Sequence, residues 1–167
     1  NILDDVFIYD PVENVWREGS KMSIERQDAG AVALTDRIIV LGGRNETGIL
    51  NDGLVYFPSR DNEGEEPWNE HIPLPEGRYN FGVTSISDNI YVLGGQPEGQ
   101  TGNMEGLLLL DEEWITFPAI QDFNQRDIVM VSLDSLLVLF DNQPELTTSP
   151  VWTYQAFYYS IYIPFVP

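Results

Sequence analysis

Residues 26–43 read RQDAGAVALTDRIIVLGG, and residues 78–95 read RYNFGVTSISDNIYVLGG. Both stretches open with an arginine, carry an aspartate ten places later and end in Leu-Gly-Gly. In each stretch, one run of small and apolar residues lies before the aspartate and a second apolar run follows it. The two copies lie 52 residues apart and match without a gap, and a weaker third copy begins at Arg126. A repeat of this length indicates an architecture built from equal units.

The segments between the copies complete each unit with two further predicted strands. In the first unit these are residues 51–57 and a strand that opens at Trp68. In the second unit they are residues 106–110 and a strand that opens at Trp114. Four short strands in a unit of about 50 residues is the pattern of a propeller blade. We therefore predict an all-β chain of four-stranded antiparallel blades.

The repeated unit resembles the Kelch repeat, over roughly residues 5–140. The resemblance rests on two glycine pairs, on Tyr-Trp spacings and on the opening arginines: Gly42-Gly43, Gly94-Gly95, Tyr9 before Trp16, Tyr56 before Trp68, Arg26 and Arg78. It implies a partial Kelch-type β-propeller of about three to three and a half blades. Its predicted divisions are a half blade (1–25), two blades (26–77 and 78–125), and a degenerate blade with an aromatic tail (126–167). The glycine pairs and the tryptophans Trp16, Trp68 and Trp114 are expected to be structural.

The third unit departs from the pattern at its glycine pair. Either Phe140-Asp141 or Asn142-Gln143 stands where the pair belongs, in two alignments that differ by two residues. The strands of this unit are predicted nonetheless, from the apolar runs Ile128–Leu133 and Leu136–Phe140.

Partners of Kelch proteins usually bind one face of the disc. That face carries the loops after the glycine pairs and the loops that lead from a fourth strand to the next first strand. The resemblance therefore implies five candidate partner-binding residues: Arg44, Asn45, Arg78, Gln96 and Arg126. For the arginines that open each blade, the alternative is a structural role, in which they bond backbone carbonyls or a neighbouring blade.

The charge of the chain excludes some partners. Asp and Glu number 27 and Lys and Arg number 8, so the net charge is −19. Such a field repels nucleic acid and anionic membrane surfaces, and no apolar run is long enough to span a membrane. The absence of cysteine excludes disulfides, thiolate metal sites and cysteine nucleophiles, and it leaves the cellular compartment open.

A search for catalytic residues returns none. The chain has one histidine, His71, and contains no nucleophile elbow, phosphate-binding loop or zinc-protease motif. We assign no cofactor and no metal, and we predict a non-catalytic Kelch-repeat interaction module or a structural subunit of a larger assembly. The alternative is the blade portion of a secreted galactose-oxidase-like enzyme or a carbohydrate-binding propeller. One histidine and no cysteine cannot supply the copper centre of such enzymes within this chain.

Three segments carry hypotheses of their own. Pro58–Pro67 is an acidic insertion, in which Asp61–Glu66 either forms a solvated loop or offers oxygen ligands to calcium. Asn45-Glu46-Thr47 is a glycosylation sequon. Val151–Pro167 alternates apolar residues on both faces, so it is predicted to be covered on both sides, by its own blade or by a partner.

The number of blades predicts that the chain is completed by something else. Closed propellers contain about four to eight blades, and a single repeat cannot bury its own faces. We expect further blades from the same polypeptide, from a second copy or from another subunit. The chain alone is predicted not to be a self-sufficient monomer.

Overall fold

The computed structural model describes residues 2–96, 106–117, 128–141 and 151–155. Within these residues it contains fifteen strands and one short helix, α1 (Pro58–Glu63), which confirms the all-β prediction. In chain order the strands are β1 (Val6–Asp10), β2 (Val15–Gly19), β3 (Gly30–Ala33), β4 (Ile38–Leu41), β5 (Arg44–Asn45), β6 (Gly48–Ile49), β7 (Gly53–Tyr56), β8 (Trp68–His71), β9 (Gly82–Ile86), β10 (Asn89–Leu93), β11 (Gly106–Leu110), β12 (Glu113–Phe117), β13 (Ile128–Leu133), β14 (Leu136–Asp141) and β15 (Val151–Gln155).

The strands form a series of antiparallel sheets that follow the chain. The N-terminal hairpin is β1–β2, blade 1 is β3-β4-β7-β8, blade 2 is β9-β10-β11-β12, and blade 3 is β13-β14-β15. The short pair β5–β6 is a separate hairpin after β4. The first strands β3, β9 and β13 contact one another in succession, as adjacent propeller blades require. The structure therefore confirms a partial propeller, and the exact blade boundaries stay a prediction.

Two buried clusters lie at the junctions between blades. We call the face of a sheet that points to the preceding sheet its near face, and the opposite face its far face. Ile39 and Leu41 on the far face of blade 1 belong to one cluster with Leu107 and Leu109 on the near face of blade 2. The next junction repeats this arrangement, with Tyr91 and Leu93 of blade 2 and Ile128, Met130, Leu137 and Leu139 of blade 3. The core of the chain is thus distributed between its sheets.

Backbone crowding at the inner ends of β4 and β10 explains the glycine pairs. Gly42 and Gly43 have φ of 55° and 94°, and Gly94 and Gly95 have φ of 70° and 98°. A Cβ on Gly42 would lie 2.6 Å from the carbonyl oxygen of Arg78 in the next blade. The amide of Gly43 donates to that same carbonyl over 2.9 Å. Only glycine combines left-handed backbone with so close an approach.

The acidic insertion is a helix where the sequence predicted a loop. Pro58 occupies the first turn of α1, where its fixed φ and missing N–H are tolerated. Gly64 ends the helix in a left-handed conformation, and its amide donates to the carbonyls of Arg60 and Asp61. The expectation of a loop is therefore wrong as far as Glu63, because Pro58 starts a helix and Gly64 ends it, whereas residues 62–66 are exposed as a solvated segment should be.

The strand register of blade 3 agrees with neither of the two alignments predicted from the sequence. In blade 2, Gly82 pairs with Leu93, and four further residue pairs separate them from the turn after Ile86. In blade 3, Val129 pairs with Phe140, and the same number of pairs separates them from the turn after Leu133, so Phe140 corresponds to Leu93. Asp141 therefore stands at the place of Gly94, one residue away from both predicted alignments. The described part of the tail forms strand β15 (Val151–Gln155), which pairs with β14. Residues 156–167 of the predicted tail lie outside the described residues.

Candidate functional site

The blade-opening arginines are buried and bond the backbone of their own blade. Nη1 of Arg26 donates to the carbonyl of Gly42 over 2.9 Å, and Nη1 of Arg78 donates to the carbonyl of Gly94 over 3.1 Å. Arg26 is 6% exposed and Arg78 is 2% exposed. Each arginine thus ties the start of the first strand to the glycine that ends the second strand, sixteen residues later.

Arg78 is much more deeply buried than the predicted partner-binding residues Arg44, Asn45 and Gln96. Desolvation lowers the pKa of Arg78 to about 10, against a smaller opposing effect of Glu76. A guanidinium in that position has no exposed surface to offer to a partner protein. Its burial and its bond to Gly94 support the structural alternative, and a role of Arg78 in partner binding stays a prediction. Arg126, the third arginine of the series, lies outside the described residues.

Arg44, by contrast, forms a cluster with residues of the next blade on the predicted binding face. Its guanidinium carbon lies 4.5 Å from the ring centroid of Tyr79, within the range of a cation–π contact. The Tyr79 hydroxyl donates to Oε1 of Gln96 over 3.0 Å. Arg44 also forms an ion pair with Asp28, with 2.7 Å between Nη2 and Oδ2. We call these four half-buried or exposed residues (Asp28, Arg44, Tyr79 and Gln96) the loop-face cluster.

The backbone brings the loop-face cluster together by a repeated bridge. Gln27 pairs with Arg44, and Tyr79 pairs with Gln96, so the residue after each blade-opening arginine meets the residue after each glycine pair. Arg44 and Gln96 were predicted from the sequence, whereas Asp28 and Tyr79 were not. The sequence signal that could have identified Tyr79 is its position directly after Arg78, which corresponds to that of Gln27 in the first repeat.

Asn45 lies beside the cluster at the end of β5, next to the turn that leads to β6. Its Oδ1 accepts from the amide of Thr47 over 2.9 Å and from the Thr47 hydroxyl over 2.6 Å. Its Nδ2 donates to the carbonyl of Glu25 over 3.3 Å. Both ends of the amide are thereby engaged, the oxygen within the turn and the nitrogen by Glu25.

The tryptophans form a second repeated set of contacts, between successive sheets. Nε1 of Trp68 donates to the carbonyl of Ser20 over 2.8 Å, and Nε1 of Trp114 donates to the carbonyl of Pro73 over 2.7 Å. Both carbonyls follow the fourth strand of the preceding sheet. Trp16 occupies the same position in the N-terminal hairpin, but it is 68% exposed and its Nε1 has no partner among the described residues.

Asp61 in α1 fastens the insertion to the N-terminal hairpin. Its carboxylate accepts from the Ser20 hydroxyl over 2.6 Å, from the Tyr56 hydroxyl over 2.7 Å and from Nη1 of Arg17 over 3.3 Å. These donors, Ser20 first, lower the pKa of Asp61 to about 2. Because protein donors occupy Asp61, the helix offers no geometric support for the calcium hypothesis, and the described residues contain no metal-binding cluster.

His71 lies in a groove between blades 1 and 2, at the end of the blades opposite the loop-face cluster. The groove has a volume of about 470 Å³ and is also lined by Arg37, Asp88, Asp111 and Glu112. Burial lowers the pKa of His71, whose Nδ1 lies 3.2 Å from the carbonyl of Ile72. Within the described ranges, the hydrogen-bond partner of the histidine ring is this backbone carbonyl. No helix within the described ranges is long and apolar enough to cross a membrane.

The antiparallel blades, the buried arginines and the recurring tryptophan bonds define a β-propeller segment. The model of the Kelch motif matches residues 1–23. Kelch-like protein 23 of Mus musculus is 31% identical over 115 residues, which cover 68% of this chain and 20% of that protein. Kelch-like protein 7 of Mus musculus is 27% identical over 80% of this chain and 22% of that protein.

A third relative is beta-scruin of Limulus polyphemus, 30% identical over 63% of this chain and 11% of its own length. The chain thus spans about a fifth of the length of the Kelch-like relatives that it matches, and less of scruin. These findings confirm the resemblance to the Kelch-repeat family.

Proposed function

We propose that the chain is a non-catalytic protein-interaction module that binds a partner protein through its loop face. The observation that carries the proposal is the loop-face cluster, in which side chains from two blades meet at one surface. An aromatic ring, a guanidinium and an amide are adjacent there, and tyrosine and arginine are the residue types that dominate binding energy at protein interfaces. Similarity to Kelch-like proteins supports the same role.

The charges on this surface favour one kind of partner. Asp28 neutralises Arg44 at short range, and the whole chain carries a net charge of −19. Long-range attraction therefore favours a partner with a basic surface, and added salt should slow its association. The same proposal includes a role of the chain as a subunit of a larger assembly and a contribution of Arg126 to partner binding.

The test compares two surface arginines at opposite ends of strand β4. Arg44 pairs with Asp28 on the loop face, and Arg37 pairs with Asp36 on the hairpin-turn face. Both are partly exposed, so Arg44→Glu and Arg37→Glu make the same charge change on opposite faces. Immobilised wild type, R44E and R37E are each used to capture proteins, and affinities for captured proteins are then measured by calorimetry.

We expect one or more proteins to bind the wild type and R37E and to bind R44E roughly tenfold less tightly, a loss of about 1.4 kcal/mol. Tyr79→Ala should weaken the same binding, since it removes the ring beneath Arg44. If R37E and R44E lose binding equally, or if neither loses it, the loop face is not the binding surface.

A further inference from the structure

The groove around His71 exposes part of the apolar core between blades 1 and 2. Its lining includes Val55, Ile90 and Leu109, which belong to the buried cluster at that junction. Partly buried apolar residues that pack against the cluster line the groove as well: Leu34, Phe57 and Ile72. The volume of about 470 Å³ lies within the range of about 300–1,000 Å³ that is typical of ligand sites. These six side chains give the groove an apolar floor.

Four exposed carboxylates line the same groove. Glu70 precedes His71 in β8, and Asp88 lies in the turn between β9 and β10. Asp111 and Glu112 are the two residues of the turn between β11 and β12. No ion pair within the described ranges engages any of the four. We call the apolar floor and these four carboxylates together the acidic groove.

The basic residues of the chain do not compensate these carboxylates. Seven of the eight lie in the part of the chain that the structure describes. Arg60 lies over the ring of Phe57, and Arg78 donates to the Gly94 carbonyl. The other five form ion pairs with aspartates that do not line the groove: Arg17, Lys21, Arg26, Arg37 and Arg44. His71 adds no positive charge at neutral pH, because burial lowers its pKa below the usual range.

We propose that the acidic groove binds a lysine or arginine side chain of a partner protein. Such a side chain joins an apolar stem of several methylene groups to a cationic head. The stem covers the apolar floor while the head lies among the carboxylates, so one ligand satisfies both parts of the groove. A metal ion would use the carboxylates alone, and no group of acidic or histidine side chains in the described ranges is arranged to hold one.

The acidic groove is separate from the loop-face cluster and does not rest on the function proposed for it. The two surfaces lie at opposite ends of the blades, and the groove residues named above come from blades 1 and 2 alone. Blades that precede or follow these two do not enter the argument. The net charge of −19 draws a basic segment toward the chain from a distance, and the groove supplies the short-range contacts.

The experiment follows the ring of His71 by proton NMR, in the full chain without a histidine tag. His71 is the only histidine of the chain, so its ring protons give one signal that reports on the groove. Three pentapeptides with blocked ends are titrated, each with lysine, arginine or norleucine between four glycines. Guanidinium chloride supplies a cationic head without a stem. We expect a saturable shift with the two basic peptides, and no saturable shift with the norleucine peptide or the guanidinium ion.

A matched pair of variants tests the carboxylates. Asp111→Asn removes one charge from the groove, and Asp134→Asn makes the same change in the β13–β14 turn, outside the groove lining. Both residues are exposed and left-handed, with φ of 48° and 51°, and asparagine tolerates this backbone. We expect D111N to bind the basic peptides about two- to fivefold less tightly, as the loss of one exposed charge contact predicts. D134N should bind them like wild type.

Several results would overturn the proposal. They are the absence of a saturable shift with both basic peptides, a norleucine peptide or guanidinium ion that shifts the signal as strongly, and equal affinities of D111N and D134N. R44E should bind the basic peptides like wild type, because Arg44 does not line the groove. Failure of the peptides to bind the groove and failure of the loop face to capture a partner are therefore separate results.

Discussion

Trp68 is tied to the sheet before it by one hydrogen bond, from its Nε1 to the carbonyl oxygen of Ser20, 2.8 Å away. Trp114 makes the same bond to Pro73 across the next junction. The bonds join a side chain of one sheet to the backbone that follows the preceding sheet. The tryptophans therefore fix the relative positions of the sheets as well as burying area.

Replacing Trp68 with phenylalanine should destabilise the chain while keeping an aromatic ring at the junction. The Ser20 carbonyl loses its donor, and we expect a loss of about 1 kcal/mol in the free energy of unfolding. Trp16→Phe is the matched control, because Trp16 makes no such bond among the described residues. Urea denaturation measures both, and equal losses for the two variants would contradict a specific role of the bond.

A substitution of Gly43 should cost more than one of Gly64, although both have positive φ. A Cβ on Gly43 would lie 2.8 Å from the carbonyl oxygen of Gln27, whereas nothing lies within 4 Å of one on Gly64. Gly64→Ala should cost about 1–2 kcal/mol for the left-handed backbone alone. Gly43→Ala carries that strain and the clash, so thermal melts that rank the two equally would contradict the crowding described at the end of β4.

Removing the buried guanidinium of Arg78 should be among the most damaging changes in blade 2. Arg78→Met keeps an unbranched side chain but leaves the Gly94 carbonyl without this donor, at a cost of about 1–3 kcal/mol. The exposed Arg37→Met is the control, and we expect its unfolding free energy to stay within about 0.5 kcal/mol of wild type. If chemical denaturation shows both variants to be neutral, the arginine bond is not structural.

The Asp61 contacts predict a loss of stability in acid. The pKa of Asp61 is lowered from 3.8 to about 2 in the folded chain, so its contribution is complete above pH 4 and disappears as the pH falls through 2. Other carboxylates cancel when wild type is compared with Asp61→Asn. The difference in unfolding free energy between the two should therefore shrink from pH 5 to pH 2. A difference that is constant over this range would show that Asp61 is not held as a carboxylate.

The strands and the glycine pairs could be predicted because they depend on local sequence. Gly42-Gly43 and Gly94-Gly95 end apolar runs at a fixed distance from an arginine, and that pattern determines where β4 and β10 end. The helix α1 was missed because the many acidic residues suggested a solvated loop. Pro58 and Gly64 at its ends were the local signals that mark a helix.

The contacts between sheets could not be predicted, because their partners are distant in sequence. Nothing near Trp68 identifies the Ser20 carbonyl as its acceptor, and nothing near Asp61 identifies the Ser20 hydroxyl. The loop-face cluster was predicted in part, since Arg44 and Gln96 follow glycine pairs. Tyr79 is the partner of Gln96 in the same bridge and lies between Arg78 and β9. The resemblance did not identify this position as a binding one.

The spacing of the arginine and tryptophan contacts has a consequence for the order of folding. The bonds of Arg26 and Arg78 each join residues sixteen apart, within one blade, whereas those of Trp68 and Trp114 join residues 48 and 41 apart. Closing a shorter loop costs less chain entropy. We therefore expect the first two strands of each blade to pair early, around their arginine, with the tryptophan bonds between sheets forming later. Under a stretching force the chain should accordingly yield blade by blade, in discrete steps.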